Sequence, residues 1–242
     1  MDWQDEGVVL GARRLGESAL VASALTRAHG RFAGLVRGGA GRRARPLWQP
    51  GNRLLLTWRA RLADQLGAFS AEPVDMLAAR LMDDPGRLAG LASALALIET
   101  GLAERDPHPA LYDELGSLLE RMGSGGPWLE RYVGFELTLL AELGFGLDLS
   151  ACAVTGTSED LIYVSPASGR AVSAAGAGRF APRLLPLPPF LLCRAAADPE
   201  QIGAALRLTG AFLRRHLFDA TDRRVPQARE RLLARLSRRL SD

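Results

Sequence analysis

From Ser18 to Ala63 the chain contains no Asp and no Glu, yet it carries nine arginines: Arg27, Arg31, Arg37, Arg42, Arg43, Arg45, Arg53, Arg59 and Arg61. These arginines alternate with β-type apolar runs, which a disordered basic tail does not do. Such a segment points to a folded surface rather than a disordered tail. The charged face repels itself unless an anionic partner uses it, and a polyanion such as nucleic acid is the natural partner.

Five short strands are expected in the first 75 residues. Residues 6–13 form one, and 18–26 a second that is ambiguous between strand and helix. Residues 31–37, 52–62 and 67–74 supply the others. Residues 20–26 and 31–37 flank a His29-Gly30 turn signal and read as a hairpin. In 52–62, Thr57, Arg59 and Arg61 fall on one side and Leu56, Trp58, Ala60 and Leu62 on the other. Five short strands with glycine-rich corners fit a small Greek-key barrel of the OB type. Residues 38–51 form a long loop rich in glycine and arginine, and a loop of that length in a compact domain is usually functional or mobile.

After Asp75 the periodicity becomes helical. Helices are expected over 87–104, 109–122, 127–143, 199–218 and 226–240. Asp83-Asp84-Pro85 reads as a helix start rather than as a metal site. Residues 145–180 form a small insert with little core of its own, and Pro186, Pro188 and Pro189 form a stiff connector. The fold class is therefore α+β: an OB barrel at 1–78 and a helical domain at 79–242 carrying the insert.

The 242 residues are 48% hydrophobic and 24% charged, within the range of soluble globular proteins. All 30 basic residues are arginine; arginine grips phosphate bidentately and stacks on bases, which lysine does not. The charge falls into three zones: net +5 over 1–80, −9 over 81–178 and +7 over 179–242. That is two basic ends and an acidic middle. The acidic opening Met1–Glu6 does not resemble a secretory n-region, and no apolar run is long enough for a membrane helix. A cytoplasmic protein, with Cys152 and Cys193 as reduced, buried apolar side chains, is expected. His29, His108 and His216 have no carboxylate or cysteine cluster at triad or metal spacing. No catalytic residues, metal or cofactor are expected, and the chain does not read as an enzyme.

The order of several motifs resembles the RecO family of bacterial recombination mediators. They are Glu6-Gly7-Val8-Val9-Leu10, Gly16-Glu17-Ser18, Leu25-Thr26-Arg27-Ala28-His29-Gly30-Arg31 and Val36-Arg37-Gly38. Leu47-Trp48-Gln49-Pro50-Gly51, residues 143–149, Cys152-Ala153-Val154-Thr155-Gly156 and Tyr163-Val164-Ser165-Pro166 follow in register. The resemblance implies an N-terminal OB domain and a helical domain with a small insert. It implies binding of single- and double-stranded DNA, annealing of complementary strands, and action with RecR to load RecA onto strands covered by single-strand binding protein. Contact with the C-terminal tail of that protein is implied as well. Some relatives carry a four-cysteine zinc site in the insert; only Cys152 stands there in this chain, so the insert must be zinc-finger-like without the metal ligands.

The candidate DNA contacts are Arg37, Arg42, Arg43, Arg45, Arg59 and Arg61. Trp58 alternates with core residues, whereas Trp48 lies on the loop, is open to either role, and is taken as a candidate base-stacking residue. The resemblance makes Arg131 a candidate partner of the tail carboxylate; the plain alternative is a surface charge. Rival readings are an RNA-binding OB protein, a phosphate-ester hydrolase, and a basic scaffold for acidic protein tails.

Overall fold

In the computed structural model, the described residues are 1–62, 64–193 and 196–241, with side chains described through 238. The backbone groups into two compact units, Met1–Gly126 and Pro127–Asp242. The first therefore extends past the 78/79 boundary expected from the sequence, and three helices pack with the barrel.

Five strands build that barrel: β1 Asp2–Leu15, β2 Ala19–Thr26, β3 Gly30–Val36, β4 Arg53–Arg59 and β5 Ala68–Asp75. They close in the order β1-β2-β3-β5-β4, with β4 returning to β1. This is the OB arrangement expected from the spacing of the runs. β1 is longer than the 6–13 expected. Its first half pairs with β4, Asp2 opposite Arg59, and its second half with β2, Leu15 opposite Ala19. A register shift between Val9 and Gly11 turns it from one partner to the other. The polar start Asp2-Trp3-Gln4-Asp5 hid this first half from a pattern reading.

Period-2 alternation is kept where both neighbours are strands. In β3 every second residue from Gly30 is buried, and in β4 Leu54, Leu56 and Trp58 are buried. The core unites Val9, Leu20, Ala22, Ala24, Phe32, Val36, Leu54, Leu56, Trp58 and Phe69. Gly67 has φ +64°, and a Cβ there would lie 2.4 Å from the Trp58 ring, so glycine alone lets the β4–β5 connection close over that indole. Trp58 Nε1 donates to Leu66 O at 3.0 Å across the same closure. The expected alternation breaks at Leu62. β4 stops at Arg59, so Leu62 is exposed instead of joining Trp58 in the core.

Helices α1 Leu77–Arg80, α2 Pro85–Gly101 and α3 Pro109–Gly123 complete this unit. Asp84 caps α2 by accepting from the backbone N–H of Gly86 at 2.9 Å and of Arg87 at 3.0 Å. Those bonds hold its carboxyl below the usual carboxylate range. Arg87 also donates to Met122 O at 2.6 Å and Gly126 O at 3.0 Å, tying the start of α2 to the end of α3. Asp84→Ala is expected to lower stability by about 1 kcal/mol. The wild-type advantage is present above the unfolded carboxylate pKa and disappears as pH falls through the depressed folded value. Denaturant titrations of both proteins at neutral and acid pH check this.

The second unit holds α4 Leu129–Glu142, β6 Leu161–Val164, β7 Ala171–Ser173, α5 Ala174–Ala177, β8 Leu185–Pro186, α6 Phe190–Cys193, α7 Pro199–Phe212 and α8 Gln227–Ser241. The long helix expected over 199–218 is α-helical to Phe212 and continues as a π-helical turn over Leu213–Phe218. Residues 145–180 do have a core. Strands β7-β6-β8 form a small sheet over buried Cys152, Leu161, Val164, Ala171, Val172 and Ala177. Pro186, expected as connector, pairs with Tyr163 in the two-residue edge strand β8, a place proline tolerates. Cys193 is exposed rather than buried, at the end of the short α6, where its thiol donates to Pro189 O at 3.2 Å.

One buried ion pair fastens α4, α7 and α8 together. Arg229 and Glu136 are 4% and 0% exposed. They make a bidentate contact, Nε to Oε1 at 2.7 Å and Nη2 to Oε2 at 3.0 Å. Thr209 Oγ1 donates to Glu136 Oε2, and Arg229 Nη2 also donates to Leu206 O at 2.9 Å.

Candidate nucleic-acid interface

The barrel register determines which side chains share its outer face. Directly paired residues run Arg13, Val21, Leu35, Ala68, Arg59 and Asp2 across β1, β2, β3, β5, β4 and back to β1. Val21, Leu35 and Ala68 are half-buried and Arg13 and Arg59 are exposed. At about 4.8 Å per strand, this row carries an arginine at each end of an arc of about 19 Å. Arg37 follows β3 on the same edge and Arg61 follows β4; both are exposed.

The β3–β4 connection brings the remaining arginines to this edge. Ala40 N donates to Ser18 O at 3.0 Å, seating the loop beside the β1–β2 turn. Arg45 N donates to Gly41 O and Leu47 N to Ala44 O, so the loop is a series of tight turns. Arg42, Arg43 and Arg45 point from these turns into solvent. Asn52 pins the far end. Its amide Nδ2 donates to Pro46 O at 2.9 Å and Leu47 O at 3.1 Å, and its Oδ1 accepts from Ala78 N at 3.1 Å. Asn52→Ala strands one buried N–H and two carbonyls and is expected to cost about 2 kcal/mol. Limited proteolysis should then cut within 38–51 first; unchanged cleavage would dissociate Asn52 from loop order.

Trp48 is not a stacking platform. It is 4% exposed and belongs to the barrel core, its ring 6.0 Å from that of Phe69 at 28°. A loop of mostly polar residues needs one large apolar anchor, and Trp48 with half-buried Leu47 supplies it. No Trp, Phe or Tyr of Met1–Gly126 is exposed. What this edge offers a strand is therefore mainly charge, with half-buried Trp3, stacked on His29 at 4.2 Å, as its nearest aromatic.

The nine arginines of the acid-free segment divide into two groups. Arg27 meets Asp113 through two contacts of 2.9 Å, which hold the Asp113 carboxyl below its usual range. Arg31 meets Glu104 at 3.3 Å, and Arg53 meets Glu6 at 2.8 Å. These three are scaffold. Among the described residues, Arg37, Arg42, Arg43, Arg45, Arg59 and Arg61 make no ion pair, and all six are exposed. Arg13 and Arg14, also exposed and without an ion pair, belong with them. They were missed because Glu17 cuts the acid-free run short; the signal is their place at the end of β1, which only the pairing reveals.

Arg131 lies on the exposed side of α4, away from buried Tyr132 and Val133. The insert does not fit a metal ion. Among the described residues no three His, Cys, Asp or Glu side chains converge. Cys152 Sγ instead accepts from the backbone N–H of Ser173 at 3.2 Å and of Val154 and Thr155 at 3.4 Å, and from Ser173 Oγ at 3.3 Å. Burial pushes this thiol up, but the bonds from Ser173 and Thr155 outweigh it and bring it down to about 6.

A closed five-stranded barrel of this strand order, edged by unpaired arginines, places the chain among OB-fold proteins. The family description "Recombination protein O N terminal" matches residues 1–77, and "Recombination protein O C terminal" matches residues 82–224. The chain is 49% identical over 241 residues to "DNA repair protein RecO" of Ruegeria sp. (strain TM1040), covering 99% of this chain and 100% of that protein. It is 48% identical over 237 residues to the protein of that name from Rhodospirillum centenum, covering 97% and 94%. For the one from Chelativorans sp. (strain BNC1) the identity is 46% over 247 residues, covering 100% and 98%. The chain belongs to the RecO family of DNA repair proteins.

Proposed function

We propose that this chain is a recombination mediator. Its barrel, 1–78, binds single- and double-stranded DNA through Arg37, Arg42, Arg43, Arg45, Arg59 and Arg61. It anneals complementary strands and, with RecR, helps load RecA onto strands coated by single-strand binding protein. The helical part, 79–242, receives the acidic tail of that protein, with Arg131 as the partner of the tail carboxylate. The work is non-covalent and takes place in the cytoplasm at the nucleoid. Among the described residues no helix is long and apolar enough to cross a membrane.

The observation that carries this reading is the set of six exposed arginines left without carboxylates while their three neighbours in sequence are paired. Phosphates neutralise such a surface and release counterions, so that two like-charged strands can approach each other. The inward-turned aromatics favour backbone contact over base contact, hence little sequence preference.

The test is annealing of complementary strands precoated with single-strand binding protein. The chain is expected to accelerate annealing, and removal of the tail of the coating protein is expected to abolish the acceleration. No acceleration in either case overturns the reading. Competition by RNA as effective as by DNA favours the RNA-binding alternative. Capture of the tail without any DNA binding favours the scaffold.

A further inference from the structure

Beyond the barrel, three arginines of α8 form a second ordered row. Arg231, Arg235 and Arg238 are spaced i, i+4, i+7. At 100° per residue they occupy an arc of about 60°, whose centre lies about 150° from buried Arg229 and about 90° from buried Leu232. Arg231 and Arg238 are exposed and Arg235 is half-buried. None of the three makes an ion pair among the described residues. The single acidic residue of α8, Glu230, lies about 100° around the helix from Arg231. Arg235 Nε is buried and has no hydrogen-bond partner.

This row is held in place and is not a loose tail. The Arg229–Glu136 pair fastens α8 to α4 and α7, which sets the rotation of the helix and hence the direction of its arginines. The row also lies beyond residues 82–224, the span matched by the C-terminal family description.

We infer that α8 is a second phosphodiester-binding surface, which holds a strand separate from the one on the barrel. The inference rests on the reading of the barrel as the first DNA site. Arg231, Arg235 and Arg238 stand about 6 Å and 4.5 Å apart along the helix, a ladder suited to successive phosphates of one strand. Guanidinium forks bind phosphate oxygens bidentately. Among the described residues, the arc between them contains no exposed Leu, Ile, Val or aromatic residue, so it lacks the apolar pocket that anchors a peptide. Annealing needs two strands held at once, and a second site supplies the place for the other strand.

The experiment uses the full chain, with two oligothymidylate strands, one carrying a donor dye and the other an acceptor, in excess over protein. Wild type is expected to hold both and give energy transfer. R231A/R235A/R238A keeps the first strand and loses the second, whose affinity falls about 100-fold near 0.1 M salt through three lost phosphate contacts. Alanine is the best helix former, so α8 is retained, and circular dichroism verifies it. R231K/R235K/R238K restores most of the energy transfer. If wild type binds no strand at all, the barrel reading fails by itself. If wild type binds and the alanine variant still shows full energy transfer, the inference about α8 is overturned. Loss of polyglutamate binding with energy transfer intact overturns it as well, in favour of an acidic protein partner.

Discussion

R42E/R43E/R45E is expected to bind single-stranded DNA about 100-fold more weakly than wild type near 0.1 M salt, with an unchanged unfolding transition. The magnitude follows from counterion release: each phosphate contact on a single strand contributes about 0.7 to the slope of log affinity against log salt, so three contacts remove about 2 from that slope. Folding is spared because the three side chains are exposed and make no ion pair. The loop itself is held by Trp48 and Asn52, which the variant leaves intact. R27A/R31A/R53A is the informative control. Those side chains bond Asp113, Glu104 and Glu6, so their loss should lower stability and leave the salt slope nearly unchanged. Equal effects of the two triple variants on DNA affinity would mean that pairing does not separate scaffold from interface.

E136A should destabilise the helical unit by about 3–5 kcal/mol. The reason is not the worth of the ion pair itself but the state left behind: a guanidinium 4% exposed with no counterion. Thr209 Oγ1 loses an acceptor at the same time. E136L/R229M removes both charges together and should recover most of the loss, since an apolar pair of similar volume avoids the desolvation of both ions. Urea titration followed by circular dichroism reads both variants. A cost below about 1 kcal/mol for E136A would mean that water reaches the pair and that α8 is not fastened by it.

Much of the fold was legible because its determinants are local. β4 alternates strictly, so Leu56 and Trp58 could be assigned to the core from spacing alone. Asp84 and Pro85 announce the start of α2. Tertiary packing decided what pattern alone does not specify. α2 buries Leu91, Ala94, Leu95, Leu97 and Ile98, wider than one helical stripe, because it packs against both β1 and α3. β8 is two residues long and exists only because β6 offers an edge. Trp48 looked available because it sits on a polar loop, but that loop folds back onto the open end of the barrel.

The amino-acid sequence alone determined that this chain has a β-rich N-terminal part with its arginines outside, followed by helices, because strand and helix periodicities and the distribution of charge are written residue by residue. Which arginines remain free to hold phosphate was decided only by the tertiary structure. Glu6, Glu104 and Asp113 lie outside the acid-free segment, and the folded chain brings them onto Arg53, Arg31 and Arg27 while leaving the other six facing water. Ion pairing depends on distance in space, and distance along the chain does not encode it.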